Sequence, residues 1–194
     1  MQGNVHPHAR PAFDRGEVSG SLPMRGMTLV FQLTSAQQSG LDMLLRRQLD
    51  PSSAEFHQWL TPECYADRFG LAPADLARIA QWLRQQGFTG IAPARSRTFI
   101  RFTGTAAQVR LAFHTAIHNY AVGGEVHYAN VTEPALPAAF RGVVAAIGGL
   151  NDFRPKPRAA ARTVSPHFTS DLSGNHYLAP DDFATIYDVH GLYS

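Results

Sequence analysis

Residues 50–70 read DPSSAEFHQWLTPECYADRFG, and this run decides how the chain is divided. Pro51 disfavours the α conformation at Asp50, so a helix arriving from upstream ends there. Asp50-Pro51-Ser52-Ser53 has the side chains that build a turn. Thr61 then stands as an N-cap with Pro62 at the first helical position, where a missing N–H costs nothing. Phe56, Trp59, Tyr65 and Phe69 concentrate aromatic bulk in this stretch and are expected to anchor the core.

Upstream, residues 1–23 are rich in Pro, His, Gly and Arg and show no periodicity, which reads as an extended leader. Met27–Leu33 is a short apolar run with β-branched and aromatic members, the pattern of a strand. Ser35 or Ser39 can cap the helix that follows, with Leu41, Leu44, Leu45 and Leu49 at helical spacing. Downstream, Pro73 opens another helix. Asp75 in its first turn favours the helix dipole, Leu76, Ile79, Ala80 and Leu83 form one apolar stripe, and Gly87 supplies the stop. Phe88–Ile91 and Thr98–Phe102 read as strands joined by the turn-rich Ala92–Arg97. Thr105 and Gln108 match a capping box, in which hydroxyl and amide each satisfy a free backbone N–H. Val109, Ala112 and Phe113 give that helix its inner face. Gly123-Gly124 between Ile117–Val122 and Glu125–Ala129 signals a hairpin, because glycine tolerates positive φ. Val143–Leu150 is a last apolar stretch. Strand, helices, strands, helix, hairpin and strand in that order predict an α+β layer, an antiparallel sheet with helices on one face.

The chain has 194 residues and a hydrophobic fraction of 44%, enough for one packed domain with extensions. Its formal charge is +2, and every basic residue except Lys156 is a scattered arginine, a poor footprint for nucleic acid. Arg97-Thr-Phe-Ile-Arg-Phe102 shares aromatics with RNA-reading strands but lacks their glycines. Cys64 is the single cysteine, so an intrachain disulfide is excluded, and it reads as a small semi-buried helix residue. MQGNVHPHARPAFDRG holds no apolar stretch of the ~7–15 residues of a secretory h-region, and no segment approaches the ~20 apolar residues of a membrane span. His114 and His118 sit at i, i+4 as in zinc helices, but the Glu of His-Glu-x-x-His is missing and the helix is expected to end near Phe113.

The 50–70 run, FTGTAAQVRLAFHTAIHNY (102–120), GGEVHYAN (123–130) and GLNDFRPKPR (149–158) together resemble the pro-kumamolisin activation domain, the propeptide of the sedolisin family of acid serine peptidases. The resemblance runs from about Pro11 to Arg158. It implies a ferredoxin-like sheet over residues 24–153 whose work is to chaperone and inhibit a sedolisin-type peptidase until autoproteolytic removal at low pH. The partner is then a cognate sedolisin catalytic domain, in cis, or in trans if the chain is a stand-alone inhibitor or chaperone. It also implies an extracellular or periplasmic setting, with neither nucleic acid nor membrane as partner. Residues 154–176 lack apolar periodicity and are rich in Pro, Ala, Ser and Arg. They read as an exposed linker in which cleavage is expected, near Arg154, Arg158, Arg162 and Phe168. Tyr177, Leu178, Pro180, Asp182, Phe183 and Tyr187 resemble the opening of a sedolisin catalytic domain, so residues 177–194 are expected to be its truncated start.

The family's chemistry uses a Ser nucleophile, a Glu base oriented by an Asp, and a second Asp in the oxyanion site. Family order puts all of these beyond this chain, and Gly104-Thr105 is followed by Ala106 rather than Ser. No catalytic residue is carried over, the chain alone is not expected to be an enzyme, and no cofactor is expected in it. The family's calcium belongs to the catalytic domain. Acid activation needs groups that titrate, and His114, His118, His127 and Glu125 cluster about the hairpin as candidate pH sensors. Glu133, Asp152 and Asp171 are further carboxylates near the hairpin or the linker.

Overall fold

The computed structural model describes residues 3–154, 168–169, 176–177 and 180–187. The chain divides into two units, Met1–Arg154 and Pro155–Ser194. The first contains β1 (Asp14–Glu17), β2 (Pro23–Phe31), α1 (Ser35–Leu49), α2 (Pro62–Phe69), α3 (Pro73–Gln85), β3 (Thr89–Pro93), β4 (Phe99–Thr105), α4 (Ala106–Phe113), β5 (Ile117–Val122), β6 (Glu125–Asn130) and β7 (Val144–Gly148). The second contains the short antiparallel pair β8 (Phe168–Thr169) and β9 (His176–Tyr177), followed by α5 (Pro180–Ile186).

Four strands form an antiparallel sheet in the order β3-β4-β2-β7. With α1–α3 between β2 and β3, and α4 between β4 and β7, this is the split β-α-β arrangement of ferredoxin-like folds. The expected α+β class is the one observed. Strand pleating sorts β2 cleanly: Met24, Met27, Leu29 and Phe31 are buried, while Arg25 and Val30 turn outward. Ile100 and Phe102 of β4 and Val144 and Ile147 of β7 join the buried set. On it lie Ile79, Ala80 and Leu83 of α3 and Val109, Ala112 and Phe113 of α4. The centre is aromatic. Phe88 meets Phe102 edge-on at 5.0 Å, and Trp82 meets Phe113 and Phe140 edge-on at 5.7 and 5.4 Å.

Both capping boxes are formed, at Thr105–Gln108 and at Thr34–Gln37. The second corrects the expected cap: Thr34, not Ser35 or Ser39, precedes α1, because Gln37 three residues on can return the bond to the Thr34 N–H. The stripe of α1 also differs. Leu44 and Gln48 are the buried residues, whereas Leu45 and Leu49 are 47% and 70% exposed. Gln48 is buried because it holds the next loop: its amide donates to the Gln58 carbonyl and its own carbonyl accepts from His57 N. The turn expected at Asp50 is an Asx-turn, with the carboxylate accepting from the Ser52 amide and hydroxyl.

Of the four aromatics expected to anchor the core, only Phe69 is buried, in a satellite cluster of α1 and α2, where its ring lies against Gly40. Trp59 is 66% exposed and stacks on His57, which stacks on Phe56. Cys64, expected to be semi-buried, is exposed on α2. The segment expected as a leader also carries structure, since β1 pairs with β5 to make a second sheet, β1-β5-β6.

Candidate functional site

The sheet has a second face. Thr28 of β2 lies opposite Arg101 of β4 and Gly148 of β7, and Val30 lies opposite Phe99 and Ala146. Ala92 of β3 completes the row beside Arg101. Arg101 and Ala92 are exposed, Val30 is 38% exposed, and Thr28, Phe99 and Ala146 are half-buried. Helices α3 and α4 pack on the other face, so these residues form a shallow surface of small, β-branched and aromatic groups around one arginine. A buried sheet face would read as a continuous apolar run, and an ordinary solvent face as charged. This one is neither.

The candidate pH-sensing residues separate into three places. His114 ends α4 in the left-handed conformation (φ 52°), exposed, and is not in a strand. His118 is on β5, where its Nδ1 lies 2.9 Å from both carboxylate oxygens of Asp14 on β1. The i, i+4 pair is therefore split by the end of the helix. His127 is on β6, with Nε2 3.4 Å from Glu125 and Nδ1 3.4 Å from Asp152. Among the described residues, no group of three or more His, Cys, Asp or Glu is placed to hold a metal ion.

Asp14 also accepts from the Gly16 amide, and this bond chiefly holds its carboxyl below the usual range; burial opposes it, and the His118 contact adds to the lowering. Asp152 does structural work too: its carboxylate accepts from Tyr128 N at 2.8 Å while its own N–H donates to the Tyr128 carbonyl. This clips the chain that follows β7 onto β6.

Phe153, the next residue, gathers His127 together with two histidines that the sequence did not point to. The His6 ring stacks on it at 4.3 Å and 9°, His127 stacks at 4.4 Å and 30°, and His8 lies at 5.7 Å. His6 and His8 are themselves 5.4 Å apart. The segment carrying them is tied down at its start: Gly3 N and Asn4 N donate to the Glu133 carboxylate at 2.8 and 3.0 Å, and Asn4 Oδ1 accepts from Ile147 N at 3.0 Å. The His6-Pro7-His8 spacing is visible in the sequence, but only the fold brings it to a phenylalanine so distant along the chain.

Arg154 follows Phe153 and is exposed. Arg158 and Arg162 lie outside the described residues. Phe168 falls in β8, so the stretch read as a bare linker includes one strand of a small pair. In α5, Asp182 is buried, and Phe183 stacks at 6.4 Å with near-parallel rings on Tyr187 just past the helix end.

The comparisons with known proteins place this ferredoxin-like α+β domain in a family. Residues 13–153 match the family described as "Pro-kumamolisin, activation domain". The chain belongs to that family, the activation domain of sedolisin-type serine peptidases. It is similar to Sedolisin of Pseudomonas sp. (strain 101), with 25% identity over 164 residues, 83% of this chain and 28% of that protein. Xanthomonalisin of Xanthomonas sp. (strain T-22) is 29% identical over 148 residues, 71% of this chain and 18% of the relative. Tripeptidyl-peptidase 1 of Homo sapiens is 29% identical over 136 residues, 69% and 24%. The chain thus spans between about a fifth and somewhat over a quarter of these relatives' lengths.

Proposed function

We propose that this chain is the propeptide that assists folding of a sedolisin-type acid serine peptidase, inhibits it through the open sheet face, and is removed by autoproteolysis at low pH. The observation that carries this is the face itself: Thr28, Val30, Phe99 and Arg101 stand in register on the side of the sheet opposite α3 and α4. An interface of this kind gains affinity from a few central anchors and specificity from charge, and Phe99 and Arg101 are placed for those roles.

The exposed Arg154 leads from the folded unit into residues 155–167, so the segment to be cut starts at the domain boundary. Arg154, Arg158, Arg162 and Phe168 remain the candidate cleavage positions, and the chain alone is not the enzyme. It takes no cofactor in this reading, and its setting is extracellular or periplasmic. Neither nucleic acid nor a membrane is a partner. Helix α5, with Pro180, Asp182, Phe183 and Tyr187 in the motif read from the sequence, favours action in cis on an attached peptidase domain over action in trans.

Reversing the charge at Arg101 tests the docking face without touching the core. Arg101→Glu should raise the inhibition constant against the mature peptidases of the Pseudomonas and Xanthomonas relatives by about tenfold or more, equivalent to ~1.4 kcal/mol. Its thermal melt should stay within about 2 °C of the parent, as for a surface change of up to ~0.5 kcal/mol. Unchanged inhibition by this folded variant would remove the sheet face from the interface.

A further inference from the structure

We propose that residues 3–8 form a histidine-latched strap, closed over Phe153 at neutral pH and opened in mild acid. The latch stands on the geometry of the first unit alone.

Two kinds of contact hold the strap. The first is polar: the Glu133 carboxylate accepts from the Gly3 and Asn4 amides, and Asn4 Oδ1 accepts from Ile147 N. Ile147 lies on β7, the outer strand of the four-stranded sheet, so the strap also covers an edge whose N–H would otherwise be open to pairing. The second is aromatic: His6, His8 and His127 gather on the Phe153 ring at 4.3, 5.7 and 4.4 Å. Neutral imidazoles pack there as flat, weakly polar rings.

Acid changes the balance. Among the described residues, the titratable and charged groups around this cluster are His6 and His8 from the strap, His127 and Tyr128 from β6, Asp152 and Arg154 from the segment after β7, and Glu125 beside His127. A charge on His127 meets Glu125 and Asp152. A proton on His6 would stand beside the His8 ring, 5.4 Å away, and near that same His127. The Glu133 carboxylate is already engaged by the Gly3 and Asn4 amides. Burial, then His8 and His127, hold His6 below the ordinary histidine value of 6.5.

The sign follows. The open strap binds the proton more readily than the closed one, so closure is fully favoured above the ordinary value and is lost as pH falls below it. Glu133 acts in the same sense, but only at lower pH. Burial raises it, but the amides of Asn4 and Gly3 outweigh this and keep it below the usual carboxylate value of 4.5. It stays ionised where His6 titrates, so the polar anchor does not itself sense this pH range.

Amide hydrogen exchange on the isolated chain reads the latch through Ile147 N–H. A group that binds its proton only in the open form shifts the open-to-closed ratio by up to about tenfold per pH unit below its ordinary value. Protection of Ile147, corrected for intrinsic exchange, should therefore fall between pH 7.5 and 5.0 by no more than that limit, while the inner amides of β2 and β4 keep theirs. His6→Phe/His8→Phe retains the rings without the titration and should hold its protection at both values. Asn4→Ala should show the low, open level at both.

Equal protection of Ile147 at the two values in the parent chain would overturn the latch. So would a fall that persists unchanged in the double Phe variant, or one shared by the whole sheet. Because no peptidase is present, the result is independent of the propeptide reading. A latch that opens in a chain unable to inhibit any family peptidase would leave the latch standing and sink that reading.

Discussion

Gly104, near the end of β4, should be intolerant of a single added methyl group, although its backbone is not in the left-handed region. A Cβ there would lie 2.4 and 2.7 Å from two carbons of the Phe88 ring and 2.7 Å from Gln108 Oε1. Neither neighbour is free to withdraw. Phe88 is buried against Phe102 and Phe113. Gln108 Oε1 accepts from Thr105 N, and its amide donates to the Gly87 carbonyl, so it closes the cap of α4 and ties that helix to the end of α3. Overpacking costs about 1–3 kcal/mol, and losing the cap adds about 1. Gly104→Ala should therefore cost about 3 kcal/mol, a large share of the ~5–15 kcal/mol that holds a domain together. The melt should fall by roughly 6–12 °C for a chain of this size.

Urea unfolding followed by far-ultraviolet circular dichroism gives the free energy directly. Phe88→Leu supplies the internal test, because a smaller side chain makes room for the methyl. The double variant should be less destabilised than the sum of the single ones by at least about 1 kcal/mol. A cost below about 0.5 kcal/mol for Gly104→Ala, or strict additivity of the pair, would refute the close approach between β4, Phe88 and α4.

Two further outcomes follow from burial and charge. Phe69→Ala should cost about 3–5 kcal/mol, whereas Trp59→Ala, at a largely exposed ring, should stay within about 0.5 kcal/mol in the same urea assay. Equal losses would mean that the Trp59 loop is part of the core. Asp14, held below its ordinary value of 3.8 by the Gly16 amide and then by His118, stabilises β1 above that value and loses the contribution as pH falls through its lower folded value. Asp14→Asn should thus weaken protection of the Val18 N–H, which donates to Ile117, at pH 7, and the difference from the parent should narrow below pH 3.8. A difference that is constant with pH would assign the effect to packing.

Local rules carried the reading of the fold a long way. Thr61-Pro62, Thr105–Gln108 and Gly123-Gly124 each have a private mechanism that acts over a few residues, so cap, capping box and hairpin stand where the sequence puts them. The readings failed where a distant partner decided the matter. Leu45 and Leu49 have helical spacing, yet Gln48 is the buried residue because the loop after α1 needs its amide. Trp59 has core chemistry but stands outside the core that Phe88, Phe102 and Phe113 fill. The leader has no periodicity because its contacts are single bonds and rings rather than a stripe: Asn4 to Ile147, Asp14 to His118, His6 to Phe153. Of the candidate sensors, His127 and Glu125 share one cluster, while His118 and His114 are elsewhere. Nothing short-range in the sequence distinguishes them.

The most direct test of the central claim is to titrate the whole chain into the mature peptidases of the Pseudomonas and Xanthomonas relatives at near-neutral pH and then acidify. The account predicts inhibition that saturates at one chain per enzyme, relieved in acid as the chain is cut between residues 154 and 176. A folded chain that neither inhibits nor binds these enzymes at equimolar or excess concentration, and is not cut in that segment on acidification, would contradict it.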